Sequence, residues 1–288
     1  MIAAAWPWAL GAAFLFALGL VLSQRGLAWL GPVAGASVSV PSAALLFWAV
    51  APWRLDWAGW HGGAAAIFAG VGVLYPAVVT FLTFEANRRL GPNLAGALGN
   101  LTPAFAVGFA VLLLGELPDG VQAVALLIIV AGVSLMSWRR RGAPRTWPLW
   151  VLAVPLAGAA IRGLLQPATK TGLALWDSAF AATLVSYSVS ALVILAVNGV
   201  RLRVRPGGYN GTGVAWFVAT GIVNGLAVMA MYQALSLGRV TVVAPLVATY
   251  PLFTLALSWL LLAGVRLTPR LALAIALTVA GVALLLAA

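Results

Sequence analysis

Ten apolar runs, each close to the length that carries a helix across a lipid bilayer, leave this chain few folds to choose from. They lie at 6–24, 33–53, 63–84, 93–114, 120–138, 147–170, 178–198, 213–235, 240–263 and 270–287, where roughly 20 apolar residues are enough to span the hydrocarbon. The runs are continuously apolar and do not alternate with period two, which excludes a β-barrel. Only 7% of the residues are charged, against about 25% in a soluble domain, and the loops are too short to hold a separate soluble unit. The reading is an all-α integral membrane protein, with the lipid bilayer as its first partner.

The runs repeat. Residues 84–138 and 232–286 follow one outline: with a shift of 148 positions, Ala86 falls on Ala234, Leu98 on Leu246, Pro103 on Pro251, Phe105 on Phe253, and Leu112, Leu113 and Leu114 on Leu260, Leu261 and Leu262. One inserted residue later, Val130, Ala131, Gly132 and Val133 fall on Val279, Ala280, Gly281 and Val282. Near the start of each half, Gly26, Leu27 and Ala28 match Gly172, Leu173 and Ala174. The expected fold is therefore ten transmembrane helices in two five-helix repeats, 1–138 and 148–288, joined by a basic linker at 139–147. Five crossings is an odd number, so the second repeat enters the membrane upside down relative to the first. Inverted repeats recur in secondary transporters, with the substrate near the midplane between them.

The net charge of +11 would suggest nucleic acid in a soluble protein. In a membrane protein, basic residues instead mark the cytoplasmic flanks of the helices, and no nucleic-acid partner is expected. Arg25, Arg88, Arg89, Arg139, Arg140, Arg141, Arg145, Arg201, Arg203, Arg205, Arg266 and Arg270 lie in the loops after the odd-numbered runs. The other loops hold Arg54, Lys170 and Arg239, and Arg162 falls inside a run. Twelve against three predicts that both termini face away from the cytoplasm. The first run has neither a basic n-region nor a small-residue cleavage site, and is read as a retained helix.

Several chemistries are excluded by what the chain lacks. There is no cysteine, hence no disulfide, thiolate metal site or cysteine nucleophile. The single histidine, His61, stands in a loop, and there is no His-Glu-x-x-His run and no pair of central carboxylates, so neither an enzyme nor a cofactor or metal site is expected. Asp56, Glu85, Glu116, Asp119 and Asp177 all fall at run ends or in loops. Proton relays in pumps usually use a carboxylate inside a span. Transport down a substrate gradient is the expectation, with Glu85 the fallback proton site.

The polar residues inside the runs are few and therefore informative. Arg162 falls near the middle of the sixth run, where an exposed charge would be costly. Gln166 and Lys170 follow at steps of four, so the three share one helix face with Gly158 below them. Two roles suit Arg162: it meets the carboxylate of a substrate, or it snorkels and bonds to carbonyls freed near Pro155 or Pro167. Asn100, Tyr75, Asn224, Tyr232 and Tyr250 either line a pocket or serve as interhelical glue. Pro103 and Pro251, at equivalent positions, are either bending points for alternating access or static kinks. Trp6, Trp8, Trp48, Trp53, Trp57, Trp60, Trp138, Trp147, Trp150 and Trp176 sit at run ends, as an interfacial belt requires, and are not read as an aromatic substrate site.

The ten-helix layout in two halves, together with the Leu114, Gly115, Glu116 ending of the fourth run, resembles the EamA-type branch of the drug/metabolite transporter superfamily. Within it the chain is most similar to the YddG-like amino-acid exporters. The second half departs from the pattern, since Ala263, Gly264 and Val265 stand where a second Gly-Glu pair would fall. The resemblance implies an inner-membrane protein that exports a small-molecule substrate, foremost amino acids. The implied route is alternating access through a central cavity lined largely by helices 1, 3, 4, 6, 8 and 9. A flippase or carrier of lipid or lipid-linked substrates, a drug or nucleoside efflux protein, and an accessory protein without transport are the other readings. With both halves in one chain, a monomer is the simplest expectation.

Overall fold

The computed structural model describes residues 2–90, 95, 98–137, 148–204, 210–262 and 268–287. The basic linker 139–147, Trp138, Trp147, Arg205, Arg266 and residues 263–265 lie outside the described residues. Regular structure among the described residues is entirely helical. In the first half these are α1 (Ile2–Gly26), α2 (Pro32–Arg54), α3 (Gly62–Gly72), a π-helical segment (Val73–Val78), α4 (Val79–Leu90), α5 (Thr102–Leu114) and α6 (Gly120–Ser137). The second half has a 3-10 turn (Leu149–Leu152), α7 (Ala153–Leu175), α8 (Ala179–Val204), α9 (Gly211–Leu237), α10 (Val240–Val247), α11 (Tyr250–Leu262) and α12 (Pro269–Ala287). Among the described residues, 7 helices are long and apolar enough to cross a membrane, and shorter apolar helices cover Gly62–Tyr75, Thr102–Leu114 and Gly120–Met136.

The shorter helices have a local cause. Proline has no backbone N–H and cannot bond the carbonyl four residues back, a loss that must be repaired where water is absent. Pro76 leaves the carbonyl of Gly72 without its helical partner, and the backbone at Tyr75 opens to φ −130°, ψ 129°. The Ser190 hydroxyl from α8 reaches across to Gly72 O at 2.6 Å and Tyr75 O at 2.9 Å. Pro103 likewise leaves Gly99 O, which accepts from the Thr102 hydroxyl at 2.7 Å. A turn at 100–101 precedes α5, and a turn at 248–249 precedes α11. Pro103 and Pro251 thus stand in the first turns of restarted helices, a position proline tolerates well.

Small residues let the helices approach. A Cβ on Gly221 of α9 would come within 2.0 Å of the Ser39 carbonyl of α2, and one on Gly72 within 2.4 Å of the Ser186 carbonyl of α8. In a bilayer, where lipid tails are as apolar as leucine, such close packing is a main source of helix association. α1 packs along α9, α6 along α12, and α5 against α7.

Two expectations shift in detail. The sixth run extends to Leu175, so Lys170 lies inside α7 and not in a loop, its charge met by the carboxylate of Glu116 at 2.8 Å. Trp6, Trp8, Trp48, Trp53, Trp57, Trp60 and Trp150 are exposed at helix ends, but Trp176 is buried with its ring 5.1 Å from that of Trp60.

Candidate functional site

A cavity of about 800 Å³ lies between the two halves. Its wall includes Tyr75, Asn100, Arg162, Gln166, Asn224, Tyr232, Tyr250 and Pro103. These side chains come from five separate stretches of chain: the broken third run, the turn before α5, α7, α9 and the start of α11. Pro251 and Glu85 are outside the wall. Glu85 pairs with Arg89 one turn along α4, and the Arg89 guanidinium lies over the Trp150 ring at 4.7 Å.

Arg162 occupies the tenth position of the 23-residue α7. Its Nε donates to Thr102 Oγ1 at 3.2 Å, and Tyr75 and Tyr250 lie within reach of its charge. Nη2 sits 3.2 Å from where a Cβ on Gly99 would be, so glycine there leaves room for the guanidinium. Among the described residues no carboxylate pairs with Arg162, and none lines the cavity. The hydrogen bond to Thr102, and not to carbonyls near Pro155 or Pro167, is what holds the side chain across the space between α7 and α5. One turn along the same face, Gln166 is buried and its Oε1 has no hydrogen-bond partner, although burying such an acceptor ordinarily costs about 1–3 kcal/mol.

The remaining polar groups are held by their own neighbours. Asn100 Nδ2 donates to Val133 O of α6 at 3.2 Å. The Asn224 amide lies directly against Gly19 of α1, where an added Cβ would meet its oxygen at 2.1 Å. Tyr232 is buried with Ser186 and Thr169 beside its hydroxyl. The wall residues that the sequence reading does not single out include Tyr187 of α8 and Thr169 of α7. Tyr187 is buried against Phe47, with ring centroids 6.1 Å apart. The signal for it was weak, since its neighbours Ser186, Ser188 and Ser190 bond to backbone carbonyls and suggest packing.

The cavity is deeper toward one membrane face. Its wall reaches Ser23, Ala86, Ala95 and Pro155 near the arginine-rich ends of their runs. Toward the arginine-poor end it stops at Thr169, Tyr232 and Ala244. Beyond them the helices close around Glu116, whose Oε2 accepts from Val240 N at 2.7 Å and Thr241 N at 3.4 Å. Gly115 enables this turn with a left-handed φ of 67°.

The sequence pattern of the EamA-like transporter family matches residues 4–138 and again residues 148–287. The chain belongs to the EamA-like transporter family. As a member, it is a multi-pass membrane protein that works on a small molecule, and the twofold match agrees with the repeat read from the sequence. The threonine/homoserine exporters RhtA of two Salmonella typhimurium strains, SL1344 and LT2, are each 34% identical to it over 125 residues, 43% of this chain. The matched stretch spans 41% of the length of each of these relatives. A protein of known crystal structure superposes with a TM-score of 0.82 over 98% of this chain and 96% of its own, at 20% identity, which shows a shared fold. The family points to a transporter and not to an enzyme.

Proposed function

We propose that this EamA-like protein exports small carboxylate-bearing metabolites, amino acids foremost, by alternating access through the cavity between its halves. The observation that carries the reading is Arg162: a guanidinium set mid-helix in a cavity wall that offers it no carboxylate among the described residues. A half-buried cation inside a membrane span without an anion is expensive. A substrate carboxylate supplies the missing charge, and Arg presents it a planar fork of donors.

The other wall groups fit the rest of an amino acid. Gln166 Oε1, without a partner, accepts from an ammonium one turn along α7, while the hydroxyls of Tyr75, Tyr232 and Tyr250 hold polar side-chain groups. The two RhtA relatives, named as threonine/homoserine exporters, support this class. The ten spans form two five-helix halves of opposite polarity, in the inner membrane of the cell, with both termini away from the cytoplasm. On that orientation the deep side of the cavity faces the cytoplasm, which suits loading for export. One chain suffices, since both halves are present.

Proteoliposomes with a panel of labelled amino acids, the corresponding amides, nucleosides and cationic dyes test the substrate class. Flux of amino acids and not of their amides is the expected result. Flux of dyes or nucleosides without flux of any carboxylate overturns the reading. A reporter fused at Ala288 that is active only in the cytoplasm is expected to stay dark.

A further inference from the structure

Arg162, Gln166 and Lys170 form a ladder on one face of α7, and only the last is already paired with a carboxylate. At 1.5 Å per residue, the eight positions from Arg162 to Lys170 cover about 12 Å along the helix axis. Arg162 and Gln166 line the cavity, whereas Lys170 stands just past its closed end, one residue beyond Thr169. There Lys170 Nζ meets Glu116 Oε1 at 2.8 Å and also donates to the Gly238 carbonyl. The same carboxylate holds the first backbone N–H groups of α10. Next to it, Thr241 is buried and its hydroxyl has no hydrogen-bond partner. The Arg239 guanidinium donates to the Leu117 carbonyl on the same rim.

We infer that Lys170 is a second carboxylate subsite, on the exit side of the cavity, which Glu116 occupies in this closed state as an internal stand-in for the carboxylate of the cargo. The inference rests on the proposed cargo class. A cargo carboxylate released from Arg162 reaches Lys170 by moving two turns along one helix face. It replaces Glu116 there and finds the Thr241 hydroxyl waiting as a further donor. Removing one partner of a partly buried ion pair is costly because the other charge is stranded, but exchanging one carboxylate for another keeps Lys170 paired, while the displaced Glu116 carboxylate turns out to water at the opening rim. Glu116, displaced, lets go of the α10 backbone and the rim opens. Passage of cargo and opening of the exit are then one event, and the closed rim does not leak while the cavity is empty. In the repeat of the sequence, Gly264 stands at the position matching Glu116, so the second half carries no such carboxylate at that position.

The absence of cysteine makes a single Thr241→Cys substitution a clean reporter, and the hydroxyl it removes has no hydrogen-bond partner. An impermeant maleimide is applied from the arginine-poor side of proteoliposomes in which this variant transports. Transported amino acids are expected to speed labelling about tenfold, and their amides not at all, because only differential binding shifts a two-state equilibrium. Adding Glu116→Gln is expected to give fast labelling without cargo; Lys170→Met serves the same purpose should that variant fail to insert. The double exchange Glu116→Lys with Lys170→Glu restores the ion pair but not the hold on the α10 N–H groups, because an ammonium has no acceptor, so labelling is expected to stay fast; carboxylate flux is expected to stay lost, because the subsite on α7 then carries a negative charge that repels the cargo. An exchange variant that transports at the parent rate reduces the pair to a clamp and overturns the inference. So does a Thr241→Cys protein that transports amino acids while its labelling rate ignores them. A parent protein that moves no carboxylate at all overturns the cargo reading, and this inference with it.

Discussion

The Nε of Arg162 donates to the hydroxyl of Thr102 at 3.2 Å across 60 residues of sequence, and that one bond ties the charged face of α7 to the restart of the helix broken before Pro103. Thr102 passes the tie on, donating to Gly99 O at 2.7 Å. A cation, a broken helix and the midpoint of the cavity are therefore mechanically joined.

Replacing Arg162 separates charge from geometry. Arg162→Lys keeps the cation but gives up the fork that can serve Thr102 and a carboxylate together. Hydrogen bonds to charged groups contribute about 1.5–3 kcal/mol. Flux of carboxylates is expected to fall by about ten- to a hundredfold in Arg162→Ala and by less in Arg162→Lys, with both proteins inserted normally. Initial rates in proteoliposomes at matched protein content check this; parent-like flux in Arg162→Ala would falsify the assignment.

Close helix approach makes glycine replaceable at some positions and not at others. At Gly221 the obstacle is the backbone oxygen of Ser39, 2.0 Å from a new Cβ, and backbone cannot swing aside. Gly221→Ala is expected to destabilise the protein by about 1–3 kcal/mol through forced separation of α2 and α9. Gly108→Ala, in α5 with nothing within 4 Å, is the matched control and is expected to be neutral or slightly stabilising. Thermal unfolding in detergent, followed by helical circular dichroism, gives the comparison.

The spans were legible because the bilayer demands them: an apolar run of sufficient length has no other stable home, so α1, α2, α8, α9 and α12 fall close to where the sequence puts them. Proline also announced itself, and the third, fourth and ninth runs are interrupted beside Pro76, Pro103 and Pro251. What could not be read was the partner of each polar group. A serine in an apolar run bonds its own helix as readily as another, as Ser188 does with Leu184 O and Ser190 does not. Tyr187 was therefore indistinguishable from packing. The Lys170–Glu116 pair was hidden for a different reason, because charges at the ends of two runs carry no sign of which runs are neighbours.

Ser190 is expected to matter for stability first and transport second. Its hydroxyl is shared by the carbonyls of Gly72 and Tyr75, and an orphaned carbonyl in the membrane interior has no water to turn to. Ser190→Ala should cost about 1–3 kcal/mol, seen as a lower unfolding temperature. Because Tyr75 sits on the opened backbone, the apparent KM should rise in the same variant. An unchanged melting temperature would show that the break in the third run needs no support from α8.

Energy coupling gives the last test. Glu85 faces Arg89 on its own helix, outside the cavity wall. A half-exposed pair of this kind, four residues apart, contributes only about 0.3–0.5 kcal/mol. Glu85→Gln is expected to leave flux within about twofold of the parent, since Glu85 stands outside the cavity wall. With no carboxylate in the cavity wall among the described residues, dissipating a pH gradient across the vesicle membrane is expected to leave amino-acid flux intact. Two findings together would overturn this: flux that stops when the pH gradient is collapsed, and flux in Glu85→Gln that no longer responds to it. A proton pathway would then have to run past the α4 end of the cavity, beside Ala86, and Glu85 would be its carrier.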